Sequence, residues 1–390
     1  MLLEFLGKFY DNHSLSIVNR NIVLGLHAKG VKLKLLALDS YNPQFNLDKA
    51  TVRLLKQLEN TEQDVADIQI RHTYPPVWEW PENKKTKVVY IQPWEFTKAP
   101  FEWQYKFETF ADALIVPSTF CAKVFSKGGI NPEKLFVVPN GYNSDIFNKD
   151  KTDLSAAIDL GVDPSKFNFI FVGNSQWRKG LDLLLNAWSN IFVKSDNARL
   201  IIKDNPTVYG KNNVLNEIIK MQYKTGCADV TYIENELSDK QMASLYKASN
   251  VIVHPYRAEG FAMHVQEAVA CGCIPLISSN GPTDDFIPSD KSFKIPVESR
   301  PVNINDPNIF ATKPGDATTL MSTHTFINEP SLDYLKKAMQ YIYHSHDKSK
   351  FYELVDNIDT LHTWDSVADK YVAVLQEVFK STKTNRANIT

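Results

Sequence analysis

Two glutamates, Glu259 and Glu267, are separated by seven residues that include a glycine, in the stretch at residues 254–279, HPYRAEGFAMHVQEAVACGCIPLISS. Carboxylates that bracket one loop can accept hydrogen bonds from several hydroxyls of a single ligand. The loop lies between an apolar run and a helical pattern, so the backbone N–H groups of Gly260, Phe261, Ala262 and Met263 would point at a ligand. A second set of chemically able residues lies upstream in GNSQWRKG, where Arg178 and Lys179 precede Gly180 and Gly173 opens the loop. Two adjacent cations on a glycine-bearing loop between a strand and a helix suit a phosphate group.

The elements that must hold these loops are legible from periodicity. SNVIV before the first loop is β-branched and apolar, as a buried parallel strand requires. From His264 the spacing turns helical, with Val265, Ala268, Val269 and Ala270 on one face and Gly272 as C′ residue. Residues 274–277 begin the next strand. NFIFV (168–172) leads into GNSQWRKG and then the helix LDLLLNAWSNIF. Residues 198–204 and 229–233 read as further strands, alternating with helices over 213–224 and 239–248. Such alternation predicts a parallel α/β sheet, whose ligands bind outside the carboxyl ends of the strands. Earlier in the chain, LLEFL (2–6), a helix over 15–29 stopped by Gly30, and VKLKLLAL (31–38) form a βαβ unit. DIQI (67–70) and KVVYIQ (87–92) are strands followed by aromatic, proline-bearing segments at 74–80 and 94–105. Ile115 and Val116 lie in a strand, Ser118 caps a helix, and residues 135–138 are a strand. Residues 332–344 and 351–361 read as helices, and 363–379 as a final helix capped by Thr363.

The Glu-x₇-Glu stretch resembles retaining glycosyltransferases of family 4, which read roughly EGFG-x₄-EAMACG-x-P-V-I. EGF, EA, ACG, the proline and the aliphatic strand are kept, while Ala262 stands where the family has a second glycine, so a positive φ there is costly. The family's phosphate loop, G-R-x₄-K-G, is matched by Gly173, Lys179 and Gly180, with Asn174 at the arginine position and Arg178 beside the lysine. The resemblance is strongest over 110–147, 168–185 and 231–285. It implies the GT-B architecture: two Rossmann-like parallel-sheet domains facing a cleft, with a C-terminal helix crossing back to the first domain. The expected domains are 1–145 for the acceptor, 146–362 for the donor, and 363–390 for the terminal helix and a polar tail. It further implies that Lys179 and Arg178 hold the donor diphosphate, Glu259 the sugar and Glu267 the ribose. Tyr232 and Ile233 would lie beside the base, and domain closure would exclude water. For the first domain, Gly7, Ser14, His72, Trp94 and Glu95 are the candidates. The family histidine after the second strand of that region is missing; Gln92, Trp94 and Glu95 stand there, and His72 is the nearest histidine by sequence. Asn12 or Ser14 serves equally as an ordinary cap of the first helix.

Composition narrows the rest. A chain of 390 residues with 43% apolar content supports two to three packed domains. A net charge of −2 supplies no global basic field, so nucleic acid is not an expected partner. Four cysteines make no disulfide framework, and Cys271 and Cys273 lack a second Cys/His pair for metal. No apolar run is long enough for a signal peptide or a membrane span. The expectation is a cytoplasmic enzyme, with peripheral contact at the membrane's cytoplasmic face left open. It would move a sugar from a nucleotide-diphosphate donor to a glycan, lipid or protein acceptor, with no cofactor and no metal. An inactive sugar-nucleotide sensor or partner subunit is the alternative; a dinucleotide dehydrogenase is disfavoured because neither glycine loop supplies G-x-G-x-x-G. Residues 286–328, rich in Pro and Asn without clear period, are expected to be a functional or mobile loop.

Overall fold

The computed structural model describes residues 1–45, 47–62, 65–205, 214–303 and 324–381. By contacts the chain divides into two compact units. The first comprises Met1–Trp94, Lys98–Gly141 and His362–Thr390; the second comprises Glu95–Thr97 and Tyr142–Leu361. No helix among the described residues is long and apolar enough to cross a membrane.

Unit 1 holds a six-stranded parallel sheet of β1 (Leu2–Gly7), β2 (Lys32–Ala37), β3 (Ile68–His72), β4 (Lys87–Ile91), β5 (Ala113–Val116) and β6 (Leu135–Val137). Its order is β2-β1-β3-β4-β5-β6, so the direction of winding reverses between β1 and β3. Helices α1 (Ser14–Ala28), α2 (Lys49–Glu59), α3 (Phe101–Phe110) and α4 (Thr119–Lys127) accompany it. Helix α1 starts one residue before the expected span, and His13 rather than Asn12 or Ser14 caps it, its side chain accepting from the Leu15 N–H. The helix α2 was not foreseen, although Asp48 caps it and Val52, Leu55 and Leu58 form its buried face. The terminal helix at Trp364–Lys380, capped by Thr363, belongs to unit 1. Lys29 on α1's end forms ion pairs with its Asp365 and Asp369, each at 2.8 Å. Buried Lys87 at the start of β4 donates to the carbonyls of Val378 and Ser381, satisfying acceptors that a helix C-terminus leaves open.

Unit 2 carries the second six-stranded sheet: β7 (Phe167–Val172), β8 (Ala198–Lys203), β9 (Asp229–Ile233), β10 (Val251–His254), β11 (Ile274–Ser278) and β12 (Phe293–Ile295). All pairings are parallel and the order is β12-β11-β10-β7-β8-β9. This is the doubly wound arrangement in which the winding reverses between the first and fourth strands, here β7 and β10. β7 and β10 are buried throughout except Val172, as expected of strands covered on both faces. The helices include α5 (Ser155–Asp159), α6 (Leu181–Ile191), α7 (Val214–Thr225), α8 (Asp239–Lys247), α9 (Met263–Ala270), α10 (Leu332–His344) and α11 (Ser349–Asp356). Leu184, Ala187 and Trp188 of α6 pack into a core with Phe169, Phe171, Leu200 and Val253.

The expectation of one irregular loop over 286–328 does not hold where the chain is described. β12 lies inside it, and β13 (Val297–Asn303) pairs antiparallel with β14 (His324–Pro330). Short polar strands with proline inside carry little periodic signal. The remainder of that stretch, 304–323, lies outside the described residues.

Candidate active site

The reversal point of unit 2 brings together the two loops singled out by residue type. After β7 the chain runs through Gly173, Asn174 and Gln176 into a 3₁₀ turn, Trp177–Lys179, then Gly180 and α6. After β10 it runs through residues 255–262 into α9. Gly180 adopts φ 76°, and a Cβ there would lie 1.9 Å from the Pro255 carbonyl oxygen. Only glycine lets the two loops touch at that point.

Arg257 fastens the same junction. Its guanidinium forms a fork with Asp182 at 2.7 and 2.8 Å, donates to the Trp177 carbonyl at 2.7 Å, and pairs with Glu329 on β14 at 2.9 Å. Its charge also stands 4.1 Å from the centre of the Trp177 ring. The backbone adds Arg257 N–H to the Arg178 carbonyl at 2.7 Å. An arginine buried this way is a strut between loops rather than a ligand group.

Lys179 Nζ donates to Glu259 Oε2, an ion pair in which both side chains are largely buried. His254 Nε2, at the end of β10, lies 3.3 Å from the same oxygen, and Gly260 N–H donates to Oε1 at 3.1 Å. Burial would raise the Glu259 pKa, but Lys179, the His254 contact and Arg178 outweigh it and hold the carboxyl well below its ordinary range. Lys179 is drawn below the ordinary lysine range by burial, with Arg178 adding to the shift and Glu259 opposing it. Arg178 is buried as well, donating to the Ala258 carbonyl at 3.1 Å and lying 3.4 Å from Glu95 Oε1. The site therefore gathers Lys179, Arg178 and the Glu259 carboxylate at the carboxyl ends of β7 and β10, with Glu95 beside Arg178.

The neighbouring candidates fall around this centre. Ala262 takes φ 73° as the residue before α9, and no side chain caps that helix. Left-handed backbone costs a residue with a Cβ roughly 1–2 kcal/mol. Phe261 is buried against Phe286 at 4.9 Å, whereas Met263 is half-buried. Glu267 accepts from the Tyr246 hydroxyl at 3.2 Å. Burial, with Asp239 adding repulsion, raises its pKa to about 8. Tyr232 is half-buried at the end of β9 and donates to Asp204 at 3.0 Å; Ile233 is buried beside it. Asn174 and Gln176 are buried in the phosphate-loop position, and the Gln176 Oε1 has no hydrogen-bond partner among the described residues.

The first-unit candidates separate into two groups. Gly7 and His72 are register partners at the reversal of β1 and β3. Asn19 of α1 joins them, its Oδ1 at 2.6 Å from His72 Nδ1, and a Cβ on Gly7 would lie 2.6 Å from Asn19 Nδ2. Burial drives the His72 pKa down to about 3, so its imidazole is neutral. Ser14 is an exposed first helical residue and is not part of that group. Trp94 is a core residue: its indole donates to the Lys98 carbonyl at 2.8 Å and its ring packs on Trp103 at 4.9 Å. In the aromatic stretch 94–105, Trp94, Phe96 and Trp103 are buried. Glu95, assigned by chain order to the first domain, falls in unit 2, where its carboxylate lies 3.4 Å from the Arg178 guanidinium. The sequence assigned no site role to His254, His264 or Arg257, although the spacing His-x₄-Glu-x₄-His around Glu259 was open to reading.

Comparison with known proteins bears on this arrangement. Residues 157–298 match the model of one family. That model describes the glycosyl transferases group 1. The matched segment spans both loops of the site. Over 150 residues the chain is 31% identical to a D-inositol 3-phosphate glycosyltransferase of Segniliparus rotundus, covering 38% of this chain and 32% of the relative. The corresponding enzyme of Gordonia bronchialis is 28% identical over 176 residues, covering 44% and 38%. The chain thus spans about a third of the length of these relatives. The fold is similar to that of Anabaena Alr3699/HepE in complex with UDP-glucose, with a TM-score of 0.65 at 15% identity, over 97% of this chain and 100% of that one. Sucrose-phosphate synthase from Thermosynechococcus elongatus gives 0.64 at 13% identity, over 98% and 100%.

Proposed function

We propose that the chain is a retaining glycosyltransferase that takes a sugar from a nucleotide-diphosphate donor to a hydroxyl of a glycan, lipid or protein acceptor. The observation that carries the reading is the convergence of Lys179, Arg178 and Glu259 at the reversal point of unit 2, inside the group 1 segment. A doubly wound sheet binds ligands at that point. Lys179 and Arg178 would neutralise the diphosphate as it departs, the largest charge change in the reaction. Glu259, ionised at neutral pH, would face the cationic sugar and fix its hydroxyls. Glu267 would accept the ribose hydroxyls, and Tyr232 with Ile233 would stand beside the base. Transfer proceeds on one face: the bond from the sugar's anomeric carbon to the phosphate oxygen breaks with its electron pair. The acceptor oxygen bonds to that carbon, and the acceptor's proton passes to the phosphate. No enzyme nucleophile and no metal is needed in this scheme.

The test is turnover of UDP-, GDP- and ADP-sugars, followed by proton NMR of the first product. The donor's anomeric configuration should be kept, and EDTA should leave the rate unchanged. Glu259→Gln should lose at least tenfold in kcat, retain nucleotide affinity and yield no covalent sugar adduct in intact-mass spectra. An inverted product contradicts retention, and a trapped adduct on Glu259 contradicts the one-face route. Tight nucleotide binding with no turnover from any donor points to a sensor instead.

A further inference from the structure

We propose that His254 is a positioning residue that holds the Glu259 carboxylate in place when Lys179 turns from that carboxylate to the donor diphosphate. The proposal rests on the donor-site reading above. Lys179 and His254 both contact one oxygen, Oε2 of Glu259, while Gly260 N–H serves Oε1. A diphosphate carries more negative charge than one carboxylate and competes for the ammonium on its flexible stem. Once the lysine engages phosphate, Glu259 keeps two fixed donors, His254 and the Gly260 N–H. Removing the imidazole leaves one backbone donor on a buried carboxylate, a costly and poorly directed arrangement.

The imidazole is built to be immobile. His254 is fully buried at the end of β10. Its ring stands edge-on to His264 at 4.2 Å and 90°, with Tyr256 at 5.1 Å and Phe171 at 6.1 Å. Nε2 must carry the hydrogen to donate to a carboxylate, which leaves Nδ1 as a bare acceptor. Nδ1 is buried and without a hydrogen-bond partner among the described residues, which suits a lone pair better than an N–H. The groups facing the ring are Lys179 and Arg178 from the 3₁₀ turn, His264 from α9, and Glu259 and Tyr256 from the intervening loop. Burial, with both cations adding, takes the His254 pKa down to about 4 against the pull of Glu259, so the ring is neutral at working pH.

Two measurements test this. Long-range proton–nitrogen NMR of His254 at neutral pH, free and with uridine diphosphate added, should show the Nε2–H tautomer in both states. An Nδ1–H tautomer or an imidazolium overturns the proposal, whatever the enzyme's activity. In kinetics with UDP-glucose, or whichever donor the wild type turns over, His254→Phe keeps the ring and removes the donor. Its kcat should fall at least twentyfold while uridine diphosphate affinity stays within threefold. His254→Gln, which returns an N–H near the Nε2 position, should recover kcat to within fivefold of wild type. A His254→Phe variant within threefold of the wild-type kcat overturns the assignment. So does loss of nucleotide affinity in step with kcat, or a folded His254→Gln variant no faster than His254→Phe. A wild type inert with every donor sinks the transferase reading by itself, and the NMR arm still decides the His254–Glu259 contact.

Discussion

Glu267 illustrates how one buried carboxyl couples affinity to pH. Burial and Asp239 raise its pKa to about 8, so it is mostly protonated at pH 7. A protonated carboxyl offers one acceptor oxygen fewer than ribose hydroxyls require. If the hydroxyls bind the ionised form, nucleotide binding must release a proton near neutrality, and affinity must climb from pH 6.5 to 8. The gain is at most about tenfold per pH unit below the free pKa. Titration calorimetry of uridine diphosphate in two buffers of different ionisation enthalpy reads that proton directly. Glu267→Gln should bind more weakly at pH 8 and release less proton than wild type; equal proton release in the two proteins contradicts the assignment. The sign was not legible beforehand, since the sequence shows the helix start but not the enclosure by Tyr246 and its neighbours.

At the scale of elements, the site depends on two strand–loop–helix units meeting edge to edge. Both were readable, because NFIFV and SNVIV are strongly apolar runs stopped by a glycine-bearing loop and followed by a helical period. Their meeting was not readable, since it rests on Gly180 against Pro255 and on the Arg257 fork, contacts between residues about 75 apart. Helix α3 failed for a different reason. It begins at Pro100 with no side-chain cap, and its aromatics point both inward, at Trp103 and Phe107, and outward, at Phe101 and Tyr105. With no apolar stripe, the pattern reads as a loop. The element-level prediction concerns the junction. Gly180→Ala adds left-handed strain of roughly 1–2 kcal/mol and an overlap of roughly 1–3 kcal/mol. The urea midpoint should fall by an amount equivalent to about 2 kcal/mol or more, and uridine diphosphate binding should weaken with it. Unchanged stability contradicts the tight approach of the two loops.

Across the whole molecule, two doubly wound sheets account for most of the chain, and the alternation of strands and helices made that architecture legible. The stretches read least well, 40–66 and 286–303, are those where helices and strands are short or capped without a strong apolar run. The candidate chemistry divides likewise: Lys179, Arg178, Glu259 and Glu267 are marked by local pattern, whereas the contact of His254 with Glu259, only five residues away, shows once the turn between them is seen. The central claim is that Lys179 leaves Glu259 to bind a donor diphosphate at the reversal point of unit 2. Calorimetric titration of uridine, guanosine and adenosine diphosphates into wild type and Lys179→Ala tests it most directly. At least one nucleotide should bind the wild type, and the variant should lose roughly 1.5–3 kcal/mol, about 10- to 150-fold in Kd, as expected for a charge-assisted contact. Equal affinity of the two proteins for every diphosphate that binds would contradict the account.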